Sequence, residues 1–511
     1  MKKIFLSSIA ASLLFAVSCQ TDFDNSTEDV VVTSGEADFS KYVALGNSLT
    51  SGYRDGTLYS SGQNESYPLM LATQMKLAGG GEFKQPMMPN DVGGFNDLKD
   101  ANGNILYPGK LTLQVSNGAL GPVYSAPAAA LDNVTSGGPY QNMGVPGAKS
   151  FHLVTPGYGS ATNLSLGRAN PYFVRFATSA STTVLADAMA QKPTFFSLWI
   201  GANDVLSYAT SGGSGVDQKG NTNPATYGSN DISDPNVVAA SIKGVLDGLK
   251  SVGTTKGAIS NIPYVSSVPY FTTVPYNPLT PAALGANLTA LNSGLYGPLK
   301  QALTAFGAGT RINLLSSTSA NPLLIKDTSL TNLSAQLTAA LTPSLGAATA
   351  AAFGQIYGQA RQATSEDFIL LPANTIIAKT NPNAPASINV YGVSFPLDNQ
   401  YVLTKTESAL VTAATDAYNT SITSLASAYG LALVDSKSKM IELNSASGIQ
   451  WDGVKYTAKF VTGGAFSLDG VHPTGRGYAI IANEFLKAIN MKYKSNLPMI
   501  SPNSYSGVKF P

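Results

Sequence analysis

The sequence predicts an α/β fold, a parallel sheet with helices on both faces, and three observations carry that prediction. Short apolar runs of strand length recur along the chain, amphipathic helical patterns lie between them, and one helical pattern runs straight into the next strand. Hydrophobic content of 44% over 511 residues is ample for a buried core, and a charged content of 12% lacks the polar bias of disorder. Lys+Arg 31 against Asp+Glu 30 is near balance, so no basic surface for nucleic acid is implied.

The strand candidates are "YVAL" (42–45), "TFFSLWI" (194–200), "GAISNI" (257–262) and "LALVD" (431–435). Val238, Ile242, Val245, Leu246, Leu249 and Val252 recur at helical spacing just before the third. Thr404-Lys405-Thr406-Glu407 reads as a capping box. Val411, Ala414, Tyr418, Ile422, Leu425 and Tyr429 then mark one helix face, which Gly430 ends. Tyr478, Ile481, Ala482, Phe485 and Ile489 form a last amphipathic helix. Gly/Ser/Pro/Asn-rich stretches at about 80–140, 205–235 and 265–400 read as insertions into one domain spanning 41–495, with 496–511 as a tail. The third insertion has helical material of its own. Leu330, Leu333, Leu337 and Leu341 share a face and 347–362 is an Ala/Gly-rich helix candidate, which suggests a helical cap or a second domain.

At the N-terminus, Lys2 and Lys3 precede an apolar run from Ile4 to Val17, the pattern of an export signal over 1–18. The run ends at Cys19, the only cysteine, so no internal disulfide can form. "FAVSC" resembles a bacterial lipobox, with Ala16 where leucine is commonest, and implies an acylated Cys19. Residues 19–40 then read as an acidic, flexible tether on an outer-membrane lipoprotein, with exposure at the cell surface as a further expectation. No later segment has 18 consecutive apolar residues, so the acyl chains are the expected membrane anchor.

In an open parallel sheet, ligands sit beyond the carboxyl ends of the strands. The loop after "YVAL" holds Ser48, and the loop after "TFFSLWI" is "GAND", residues 201–204. A serine that attacks an ester needs a base, usually histidine. The chain has two. His472 lies in "SLDGVHPTGRGYAII", with Asp469 three positions ahead, close enough in a tight loop to take the Nδ1–H, and Pro473 sets the loop's direction. His152, five residues beyond Gly147, reads as a packing or surface residue, with the rim of a site as the alternative. Two histidines and one cysteine do not make a zinc site of the usual kind, and no phosphate-binding glycine loop stands in strand–helix context.

"GNSLTSGY", "NMGVPGA", "GAND" and "DGVHPT", in that order, resemble the four sequence blocks of the SGNH, or GDSL, hydrolase family, over residues 41 to 490. The resemblance implies a flavodoxin-like α/β/α sandwich and a serine esterase without cofactor or metal. It makes Ser48 the nucleophile, His472 the base and Asp469 its orienting partner. The Ser48 N–H, the Gly147 N–H and the Asn203 amide would form the oxyanion hole, with Gly147 preferred to Gly144 on the family's spacing alone. Asp204 reads as a turn residue. Asn47 stands where the family usually has aspartate; it can still tie the turn by hydrogen bonds, at the loss of one negative charge. The expected substrate is a small or polymer-borne ester. Low charge and the Ala/Leu-rich stretch 330–362, a candidate lid, tilt this toward lipid or other acyl esters. Acetylated glycans and a non-catalytic binding role are the rivals, and oligomeric state is left open.

Overall fold

β1 (Tyr42–Gly46) is buried along its whole length and has parallel neighbours on both sides, β2 (Asn142–Gly144) and β3 (Phe195–Trp199). The computed structural model describes residues 31–116 and 118–511. The expected leader, Cys19 and the first part of the tether lie outside them. β4 (Gly257–Ser260) and β5 (Ala432–Val434) complete a five-stranded, all-parallel sheet of order β5-β4-β3-β1-β2. Read from β2, this is the doubly wound order 2-1-3-4-5, in which the chain reverses direction across the sheet between β1 and β3.

Alternation along the strands separates two cores. Val43, Leu45, Phe196, Leu198 and Ile259 face one side. Helices α4 (Pro235–Ser251) and α5 (Lys405–Ala428) cover it with Val238, Ile242, Val245, Val411 and Tyr418. Tyr42, Ala44, Phe195 and Trp199 face the other. There α2 (Tyr67–Lys76) and α6 (Gly475–Tyr493) bring Tyr67, Leu71, Tyr478 and Phe485. The capping box at the start of α5 is formed: Thr404 Oγ1 accepts from the Glu407 N–H and Glu407 accepts from the Thr404 N–H.

Two expectations need correction. Residues 33–40, read as tether, are fastened to the fold, with Ala37 and Phe39 buried while most of the segment stays exposed. Phe39 is 1% exposed, the Glu36 N–H donates to the Tyr493 carbonyl, and the Thr33 N–H donates to Asn496. Their polar composition hid a docking site on the end of a helix more than 450 residues away. The helix candidate 347–362 stops at Tyr357, and Ala360–Gln362 is a strand paired with Leu324–Lys326. Gly358 marks the break, since a Cβ there would lie 2.2 Å from Ser334 Oγ. Within the stretch 330–362, Leu337 and Tyr357 anchor it to the insertion's own core by packing with Leu299, Leu324 and Leu397. The insertion meets the loop around His472 elsewhere. The Tyr270 N–H donates to the Gly470 carbonyl, and a Cβ on Gly470 would lie 3.0 Å from Leu371. Among the described residues no helix is long and apolar enough to cross a membrane.

Candidate active site

β1, β2 and β3 are neighbours, so their carboxyl ends place three loops side by side. Ser48 begins α1 (Ser48–Ser51) directly after β1, the loop after β2 carries Gly147, and Asn203 begins α3 (Asn203–Thr210) after β3. Asn47 caps α1: its Oδ1 accepts from the Leu49 N–H at 3.0 Å and its carbonyl accepts from Thr50 and Ser51. An aspartate would do the same through one carboxylate oxygen, so the turn survives the loss of charge.

His472 comes from a loop closed on itself before α6. The Ser467 N–H donates to the His472 carbonyl at 2.8 Å, Phe466 bridges to Pro473, and Thr474 caps the helix. The loop brings His472 Nε2 to 2.8 Å from Ser48 Oγ and His472 Nδ1 to 2.9 Å from Asp469 Oδ2. Because a carboxylate only accepts, Nδ1 carries the proton, Nε2 offers its lone pair, and the serine hydroxyl donates to it. Tyr53 packs against the imidazole with ring centroids 4.7 Å apart.

Asp469 is heavily solvated by the protein. Its Oδ1 accepts the His472 and Val471 N–H groups at 2.8 Å, its Oδ2 accepts the Gly56 N–H at 2.9 Å, and Ser467 Oγ adds a bond at 3.2 Å. Burial pushes this carboxyl up, but His472 and the backbone donors outweigh burial and hold it below its ordinary 3.8. It therefore stays ionised well into acid.

The other two positions lie on the loops after the strands that flank β1. Gly147 has φ +79°, and a Cβ on it would meet only Asn170 Nδ2, at 3.8 Å, so this backbone faces open space. Its N–H has no acceptor among the described residues. Asn203 donates one amide hydrogen to the Ala148 carbonyl at 3.0 Å, which fixes the amide and leaves its second N–H for a ligand. Ser48, His472 and Asp469 are thus joined by direct hydrogen bonds, with Gly147 and Asn203 on the loops that follow the two strands flanking β1, while Gly144 is the end of β2, packed against Thr50 and Ser51. If an oxyanion forms here, Asn203→Ala is expected to lower kcat by ~10²–10³ with KM little changed, measured on a soluble ester.

Asp204 is more than a turn residue. Fully buried, it accepts the Ser150 N–H at 2.8 Å and the Ser150 hydroxyl at 3.0 Å, anchoring the loop that follows Gly147. The motif "GAND" held that signal, but only the fold pairs it with Ser150. Burial raises its carboxyl above the usual range. His152 is a packing residue: its Nδ1 accepts the Lys149 N–H at 3.0 Å and its ring stacks on Tyr158 at 4.3 Å. Burial, then nearby Lys149, lower it from 6.5 to about 3. A histidine held neutral in the folded state stabilises fully above about 6.5, and that stability drains away as pH falls from there toward 3. Thermal melts across this range should show His152→Phe with a visibly flatter acid slope than the parent.

Among the described residues no group of three His, Cys, Asp or Glu side chains converges as a metal site. Compared with known proteins, the chain matches no family model and none of the curated proteins.

Proposed function

We propose that the protein is a serine ester hydrolase of the SGNH type, with Ser48 as nucleophile. The observation that carries this is the continuous hydrogen-bonded line from Asp469 through His472 to Ser48 Oγ, at 2.9 and 2.8 Å. Ser48 Oγ attacks the ester carbonyl as its proton passes to His472 Nε2. The oxyanion accepts from the Ser48 N–H, the Gly147 N–H and the free Asn203 amide hydrogen. His472 then protonates the leaving alkoxide, and an acyl-serine remains. A water gives its proton to Nε2 and attacks the acyl carbon, and the second intermediate collapses to free acid as His472 returns that proton to Ser48 Oγ. Beyond the ester and one water, the steps need only this chain's own groups.

Acyl esters are the substrate class best supported. Leu49, next to Ser48, and Val471 and Pro473, on either side of His472, line a mainly apolar groove with Trp199, Phe466 and Ile481; Lys439 and Glu484 also wall it, and Ser48 and His472 themselves do not line it. A groove with such walls suits an alkyl chain better than a sugar hydroxyl array. None of its lining comes from 330–362, so no lid is invoked. Filling it with Val471→Trp is expected to lower kcat/KM for an octanoyl ester about tenfold or more relative to the acetyl ester. The acylated Cys19 and surface exposure inferred from the N-terminus belong to this proposal and add the membrane as the protein's surroundings.

Labelling with a fluorophosphonate tests the reading directly, because only an activated serine reacts. A single adduct on Ser48, blocked by prior addition of a substrate ester, is the expected result. An unlabelled, folded protein would leave a non-catalytic binding role in its place.

A further inference from the structure

Arg54–Asp55–Gly56–Thr57 is a two-residue hairpin. Arg54 and Thr57 exchange backbone hydrogen bonds at 3.2 Å, and Asp55 and Gly56 both have positive φ, 53° and 77°. That is the type I′ geometry for which Asp-Gly is a preferred pair. Such a turn normally points its N–H groups into water. Here they point into the loop that carries Asp469, more than four hundred residues later.

The grip is reciprocal. The Asp55 N–H donates to Ser467 Oγ at 3.0 Å, and Asp55 Oδ1 accepts the Leu468 N–H at 3.0 Å. The Gly56 N–H donates to Asp469 Oδ2, the same oxygen that accepts His472 Nδ1–H. Ser467 Oγ in turn donates to Asp469 Oδ1. Behind the turn, Asp55 Oδ2 accepts from Tyr59 at 2.6 Å, Tyr59 accepts from Arg54 Nε at 2.7 Å, and Arg54 pairs with Glu65 at 2.5 Å. Asp55 is thus locked by a second line of bonds that touches neither the imidazole nor Ser48. Two residues before Asp55, Tyr53 packs on the His472 ring and its hydroxyl donates to the Gly56 carbonyl.

We propose that Asp55 is a positioning residue, which holds the 467–469 segment so that the Asp469 carboxylate lies in line with His472 Nδ1. The role rests on the esterase reading for its kinetic consequence, though the geometry it controls exists whether or not an ester is the substrate. Asp55 never reaches the reacting atoms and acts only through the loop. Without its side chain the Leu468 N–H, in a residue 5% exposed, has no acceptor, and the loop relaxes to find one. A shift of about 1 Å at an orienting group is enough to cost ~10² in rate.

The test separates this from a loss of fold. Asp55→Gly removes the side chain and keeps the left-handed backbone without strain, whereas Asp55→Asn keeps an acceptor oxygen for Leu468 and tolerates the same φ. With a soluble ester, Asp55→Gly should lower kcat about tenfold to a hundredfold with KM within about twofold, and Asp55→Asn should restore most of it. In an Asp469→Asn background the same Asp55→Gly change should cost less than about twofold, since the group it positions is gone. Equal losses in both backgrounds, or a loss rescued by neither variant but tracked by melting temperature, would overturn the role. The Nδ1–H proton resonance of His472 gives a readout independent of turnover, and only two histidines compete for assignment. It should shift or broaden in Asp55→Gly and persist in Asp55→Asn; an unmoved resonance in Asp55→Gly refutes the proposal. A resonance that responds in a protein without esterase activity would keep the positioning role and remove the esterase reading.

Discussion

Ser48→Ala is expected to lower kcat for a p-nitrophenyl ester by about 10⁶, to the level left by binding and oxyanion stabilisation alone. The fold should be untouched. The Ser48 hydroxyl has His472 Nε2 as its partner, while the backbone carbonyl that accepts from Tyr53 and from Ser51 Oγ remains. Replacing a hydroxymethyl by a methyl at that position removes one polar atom and no packing group. Rapid-quench and steady-state assays beside a thermal melt check both halves of the expectation. Unchanged turnover with an unchanged melt would mean that some other group attacks the ester.

Asp469→Asn should cost about 10⁴ in kcat, more than its conservative geometry suggests. The carboxylate accepts on both oxygens: the backbone donors of Val471 and His472 on Oδ1, His472 Nδ1–H and the Gly56 N–H on Oδ2. An asparagine has one acceptor oxygen. If that oxygen takes the place of Oδ1, its amide meets two N–H groups at Oδ2. The imidazole relieves half of that conflict by moving its proton to Nε2, where it can no longer receive the serine proton. Stability changes with a defined sign. A carboxyl held below 3.8 stabilises the fold above that pH and loses its contribution as pH falls through the lowered value. The loss of activity in the variant should therefore persist across neutral pH. A pH–rate series on both proteins, with melts at pH 3 to 7, measures these together.

How much of this could be read from the chain depends on how local each signal is. β1, β3 and β4 were visible as apolar runs because both faces of each strand are buried, and β5 as one whose Leu433 side is half-buried. β2 was not. Its three residues are Asn, Met and Gly, and they become a strand only by pairing with Ala44, Leu45 and Gly46 of β1. Asn142 is at home there because its amide donates to the Thr50 carbonyl and to Gln85. The 265–400 insertion advertised its helices through leucine spacing, but its separate core joins residues from Val274 to Val402, an arrangement with no short-range signature.

The site divides in the same way. Ser48, Asn203 and His472 stand in short motifs whose chemistry is recognisable residue by residue. Asp55 stands in a segment that reads as an ordinary turn, and Asp204 in one that reads as a turn pair. Their importance lies in what they touch: Ser467 and Leu468 for the first, Ser150 for the second. No periodicity or composition reports a contact between positions separated by 413 residues.

By itself, then, the sequence determined the alternation of buried strands and amphipathic helices, because burial on two faces leaves an apolar run and burial on one leaves a period. It also determined which nucleophile, base and carboxylate types were present to be combined. Tertiary structure alone decided that they meet at hydrogen-bonding distance, which segments thought to be loose are fastened to the fold, and which neighbours hold the carboxylate in place. The reason is physical: a hydrogen bond is set by ångströms in space, and residues far apart along a chain acquire that closeness only when the sheet has brought their loops to one end.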